Sequence, residues 1–113
     1  MRLRVDVSEV QQFIVSRKPA PKVDRESGRQ RADTQTGELL YSVQVMAIDD
    51  SGGEVLAITV PGEPAVTPGQ QVRVDGLVAI PWEQNGRNGV AFRATSVRPA
   101  DGSPLRGPVK PAA

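Results

Sequence analysis

Short runs rich in valine and isoleucine recur about every ten residues, and glycine or proline stands between nearly all of them. That punctuation leaves little room for a helix, which needs about ten or more periodic residues. Gly 11 and Pro 10 together make up nearly a fifth of the 113 residues. The chain therefore reads as short strands joined by turns.

The strands follow from period-2 alternation. Leu3, Val5 and Val7 alternate with Arg2, Arg4 and Asp6, and the pattern resumes from Val10 to Val15. Leu39 to Ile48 is the clearest run, with Tyr41, Val43, Val45 and Ala47 on one side and Leu40, Ser42, Gln44 and Met46 on the other. Asp49-Asp50-Ser51-Gly52-Gly53 reads as a hairpin turn before the Glu54 to Val60 strand. Pro61, Pro64 and Pro68 keep the next connection irregular. Gln71 to Ile80 follows, residues 81–89 read as a second hairpin loop, and Val90 to Val97 is the last strand. Five main strands predict an all-β domain, and closing them into an OB-like barrel would remove the exposed edges. Phe13 and Phe92 are expected in the core. Residues 1–99 are expected to form this domain, and the Pro/Ala-rich residues 100–113 a disordered tail.

The chain has no cysteine and no histidine. Disulfides, Cys or His metal sites and nucleophile–histidine pairs are thereby excluded. Asp49 and Asp50 are better explained by turn chemistry than by acid–base work, and no Gly-rich phosphate loop precedes a helix. No catalytic residue, metal, cofactor or small-molecule substrate is expected. Neither a leader nor an apolar run of about 18 residues is visible, so the expected setting is cytoplasmic, without membrane contact.

Net charge is only +1, but its distribution is uneven. Arg17, Lys18, Lys22, Arg25, Arg29 and Arg31 crowd the stretch after Ile14, opposed there by Asp24 and Glu26. No Lys or Arg occurs from Ala32 to Val72. A basic arm of this kind, read as a long hairpin or a mobile loop, suits a polyanion. Arg87 and Arg93 add cations further on, while Tyr41 and Trp82 could stack on bases. Each has a plainer alternative. The arm could be a solvated surface, Tyr41 core, Trp82 a cover for the barrel end or an interface residue, and Arg93 an ordinary strand charge.

The order of landmarks resembles the filamentous-phage gene V type single-stranded DNA-binding protein family and related proteins of actinobacterial mobile elements. The resemblance rests on MRLRVDVSEVQQF, on Gly37 with Tyr41-Ser42, on EVLAITV with GEPAVTPGQQVRV, and on a Gly-bearing hairpin ending in Arg98-Pro99. It implies a five-stranded OB-like barrel, a homodimer and cooperative coating of single-stranded DNA. Residues 16–40 then match a DNA-binding wing and residues 81–89 a hairpin at the dyad, with Leu77, Val78 and Ile80 as an apolar dyad face. By the same resemblance Tyr41 matches a binding-surface aromatic and Arg17 or Lys18 a basic wing residue. The wing is longer than in the phage proteins, and Ala57 stands where their pattern has a lysine. The expected function is sequence-tolerant protection of single-stranded DNA in replication or transfer of a phage, plasmid or integrative element. RNA binding and a protein–protein adaptor are the alternatives.

Overall fold

The computed structural model describes residues 1–100. They form eight strands: β1 (Leu3–Arg4), β2 (Gln12–Pro21), β3 (Leu40–Asp49), β4 (Gly52–Pro61), β5 (Gln71–Asp75), β6 (Val78–Gln84), β7 (Arg87–Arg93) and β8 (Ser96–Pro99). No helix occurs among the described residues. The all-β expectation holds. The strands make one sheet in the order β1-β6-β7-β4-β3-β2-β5-β8, antiparallel throughout except for β4 with β7.

Eight strands replace the expected five, and the sheet has two ends rather than closing into a barrel. Gly76-Leu77 interrupts the Gln71 to Ile80 run, and Ala94-Thr95 interrupts the last one. Leu77 and Ala94 both turn into the core at these breaks. Leu77 is therefore core rather than part of an apolar outer face. At the first break Gly76 has a φ of +67°, a conformation that costs any residue with a Cβ. A Cβ there would also lie 2.3 Å from Thr95 Oγ1. Gly76→Ala is expected to destabilise the domain by about 1–3 kcal/mol. Calorimetry should record that as a melting temperature lower by several degrees.

The main core cluster lies on one side of the sheet, and Leu40 is buried on the other. Val15, Val43, Val45, Ile58 and Val60 are the cluster's most completely buried side chains, each contributing roughly 1.5–3 kcal/mol through burial. Register explains the grouping, because directly opposed residues share a face. Val43 faces Ile58, Val45 faces Leu56, and Phe13 faces both Ala47 and Val72. Phe13 is buried and Phe92 is partly buried against the same cluster, as expected.

The expected 81–89 loop is mostly strand. Only Asn85 and Gly86 turn, with φ of 54° and 77°, the two left-handed positions of a type I′ hairpin. The tail expectation falls on residues outside those described, apart from Ala100, whose N–H donates to the Gln71 carbonyl at 3.0 Å.

The basic arm is not one long hairpin. β2 continues to Pro21, with register shifts between Val15 and Arg17 and between Arg17 and Ala20. Residues 22–39 then form two small hairpin lobes of like construction. In the first, Asp24 Oδ1 accepts from the N–H groups of Glu26 (2.8 Å) and Ser27 (3.3 Å), and Ser27 Oγ accepts from Arg29 N–H (3.2 Å). In the second, Asp33 Oδ1 accepts from Gln35 (2.7 Å) and Thr36 (3.1 Å), and Thr36 Oγ1 accepts from Glu38 N–H (3.2 Å). Gly28 and Gly37 take the same left-handed place in each. The segments KVDRESGRQ and RADTQTGEL are thus a tandem repeat of one turn design. Asp and Ser or Thr supply the acceptors that such turns need. The lobes are closed at their base by Lys22 N–H to Leu40 O (2.9 Å), Arg31 N–H to Lys22 O (2.7 Å) and Leu40 N–H to Arg31 O (2.8 Å).

Candidate nucleic-acid interface

The sheet face opposite the core is built from the alternate residues of six strands. Its register can be followed strand by strand. Arg4 faces Val78, Val78 faces Arg93, Arg93 lies beside Thr59, Thr59 faces Ser42, and Ser42 faces Ala20. Neighbouring rows on the same face hold Arg17 opposite Gln44, Gln44 opposite Ala57, Ile80 opposite Ala91, Trp82 opposite Gly89, and Gln84 opposite Arg87. On β1, β6, β7, β4, β3 and β2 this outer face presents arginines and neutral side chains, and no Asp or Glu. Glu54 faces Ala47 on the core side, and Asp49 and Glu54 both line a cavity with Phe13 and Leu56 at the end of the sheet remote from the arm. A surface bearing one sign of charge concentrates counter-ions of the other sign.

Trp82 is on this outer face and 45% exposed. Gly89 makes room for it, since a Cβ at that position would lie 2.6 Å from Trp82 Cζ2. The indole therefore rests over the backbone of β7 and leaves its other side open to solvent. Tyr41 is on the opposite face. It stands across from buried Val60 and packs against the core cluster. The register brings Arg17, Trp82, Arg87 and Arg93 onto one surface and separates Tyr41 from them.

The arm cations fall into two groups. Arg17 and Lys18 are exposed near the end of β2, and Arg25 and Arg29 are exposed in the first lobe with half-buried Lys22 at its base. The second lobe carries Arg31 against Asp33 and Glu38, so the repeat has one basic copy and one acidic copy. Among the described residues none of Arg17, Lys18, Lys22, Arg25, Arg29, Arg31 and Arg87 forms an ion pair. Arg73 and Arg98 do, both with Asp75, and this pairing holds the Asp75 carboxyl below its ordinary range, chiefly through the Arg98 hydrogen bond.

Arg93 is the remaining paired cation. Its guanidinium donates to Asp33 Oδ2, and both side chains are largely covered. The second lobe is thus pinned across β4 to β7. Donation from the Gln35 and Thr36 N–H groups, aided by Arg93, lowers the Asp33 pKa from its ordinary 3.8. The folded state therefore prefers the carboxylate. Stability from this group is complete above the ordinary carboxylate range and is lost as pH falls through the lowered value. Asp33→Asn keeps a turn acceptor but removes the ion pair. Asp24→Asn is the matched control, because Asp24 caps the first lobe with no arginine attached. Asp33→Asn should lower the melting temperature at neutral pH more than Asp24→Asn and flatten its fall as pH drops below the ordinary carboxylate range.

Arg2 and Arg4 did not stand out in the sequence, where alternation with Leu3 and Val5 makes them an ordinary solvent side. The signal available was that both fall on the same side of one strand. Only the pairing of Arg4 with Val78 shows which surface that side joins. Among the described residues no cluster of three Asp or Glu side chains could hold a metal ion. Models of known protein families, curated proteins and solved structures yield no match to this chain.

Proposed function

We propose that this chain is a sequence-tolerant single-stranded DNA-binding protein that coats and protects DNA during replication or transfer of a mobile genetic element, working as a homodimer. One observation carries the reading. The outer sheet face joins Arg4, Arg17, Arg87, Arg93 and the open side of Trp82 with no acid from its own strands, and the Asp33 carboxylate of the second lobe meets it at Arg93. A single strand without sequence readout needs cations along the phosphates and flat side chains under the bases, and both are present there. The exposed first lobe would extend the cationic path beyond the ends of β2 and β3.

The strand pairing supports an OB-like description of the same surface. Taken across their breaks, β5 with β6 and β7 with β8 are two kinked arms of one hairpin. This hairpin reaches β2 through β5 and β4 through β7. Read this way, five kinked strands run around the core, in the manner of a partly open OB barrel.

Trp82 is the only tryptophan and reports on the site directly. Its fluorescence should be quenched by oligo(dT) and recover on addition of salt. Trp82→Ala should weaken binding by roughly 1–3 kcal/mol, the worth of one stacked base. A parallel titration with oligo(U) decides between DNA and RNA. An adaptor that docks proteins would leave the tryptophan signal unchanged by either polymer.

A further inference from the structure

A small cavity of about 270 Å³ opens beside the strand breaks, and Arg2, Arg93, Thr95, Gly76 and Val78 are among its walls. We propose that it is an oxyanion subsite in which Arg2 and Arg93, with the Thr95 hydroxyl, hold one backbone phosphate of a bound strand; this deepens the single-strand reading above and rests on it. Two guanidinium groups on one small cavity offer an oxyanion two sets of donors, and Asp33 pairs with Arg93 without lining the cavity. No carboxylate lines the cavity. Arg2 is exposed and has no ion-pair partner among the described residues. Arg93 is held in place, since one terminal nitrogen donates to Asp33. An arginine has five N–H donors in a fixed fork, so the Asp33 contact orients the group and leaves donors for a second oxyanion. Such preorganisation lowers the ordering cost of binding. Arg4 lies in the same row, opposite Val78, and adds charge beside the cavity.

Phosphate is the shared chemistry of a nucleic-acid backbone and of free inorganic phosphate, and the assignment here is to the backbone. Arg2→Gln tests it at an exposed position near the start of the chain, remote from the core. Oligo(dT) binding should weaken several-fold, and the slope of log affinity against log salt should fall by about 0.7, the value for one single-strand phosphate contact. Arg98→Gln, whose arginine is engaged with Asp75, should leave that slope unchanged. In ¹⁵N spectra the Thr95 and Gly76 amides should shift with oligo(dT) at concentrations where inorganic phosphate leaves them in place. If wild type binds oligo(dT) and Arg2→Gln binds equally well with the same slope, the subsite is wrong and the single-strand reading stands. Amides that respond to inorganic phosphate alone overturn the backbone assignment. Wild type that ignores oligo(dT) removes the parent reading and this subsite together.

Discussion

Arg25→Glu combined with Arg29→Glu is expected to weaken oligo(dT) binding on the order of 100-fold at low salt, with a salt slope smaller by about 1.4. Both side chains are exposed and neither has an acidic partner among the described residues. The double change replaces two cations by two anions, so lost counterion release and new repulsion act together. The lobe itself should persist. Its form depends on Asp24, Ser27 and Gly28, through contacts with backbone N–H groups that the substitutions leave intact. The tandem repeat supplies the comparison. Thr34 and Glu38 occupy the corresponding places in the second lobe, which is pinned at Arg93 and carries acids. Thr34→Glu should therefore alter binding far less. An unchanged melting temperature in both variants would attribute the loss to charge and not to unfolding.

Ile58→Ala should have the largest effect on stability. Ile58 is fully buried, faces Val43 on β3 and lies beside Phe92 on β7. It is thus the side chain at which the hairpin β3–β4 meets the hairpin β6–β7. Removing a buried isoleucine to Cβ costs about 2–5 kcal/mol, because the cavity closes only in part. A domain of this size has only about 5–15 kcal/mol in total. Urea unfolding should show the midpoint falling sharply with little change in slope. The parallel β4–β7 pairing is short, so its loss would also free the Trp82 ribbon. Oligo(dT) binding should fail in Ile58→Ala at denaturant concentrations that wild type tolerates.

Much of the strand content was legible because alternating valines leave one choice of inward face. Val43, Val45, Ile58 and Val60 alternate without interruption, and they form the centre of the core. The breaks at Gly76-Leu77 and Ala94-Thr95 were not legible, since Leu77 and Ala94 continue an apolar run and only tertiary packing turns them inward. The strands of the 81–89 hairpin are hard to see in the sequence because Pro81 and polar residues mask their period. Asn85-Gly86 was the two-residue turn signal within it. The repeat in the arm lies in the order Asp, Ser or Thr, then Gly, and the unlike charges of its two copies obscure it.

The site was legible in its residue types and not in its geometry. Tyr41 and Trp82 looked equivalent as aromatic candidates. One faces the core beside Val60 and the other faces solvent over Gly89, a difference set by register and invisible in composition. Arg93 looked like a free cation, yet Asp33, distant in sequence, claims one of its nitrogens. Pairings of that range depend on how the second lobe folds back, and no local pattern reports it.

The central claim is that a cationic sheet face, to which its own strands contribute no acid, collects the phosphates of an unpaired strand. Anisotropy of a labelled oligo(dT), measured across salt concentrations with duplex DNA as competitor, tests it most directly. The account predicts tight binding at low salt, a steep linear loss of log affinity with log salt, and little displacement by duplex. Binding that is absent at low ionic strength, or equal for duplex and single strand, would contradict it.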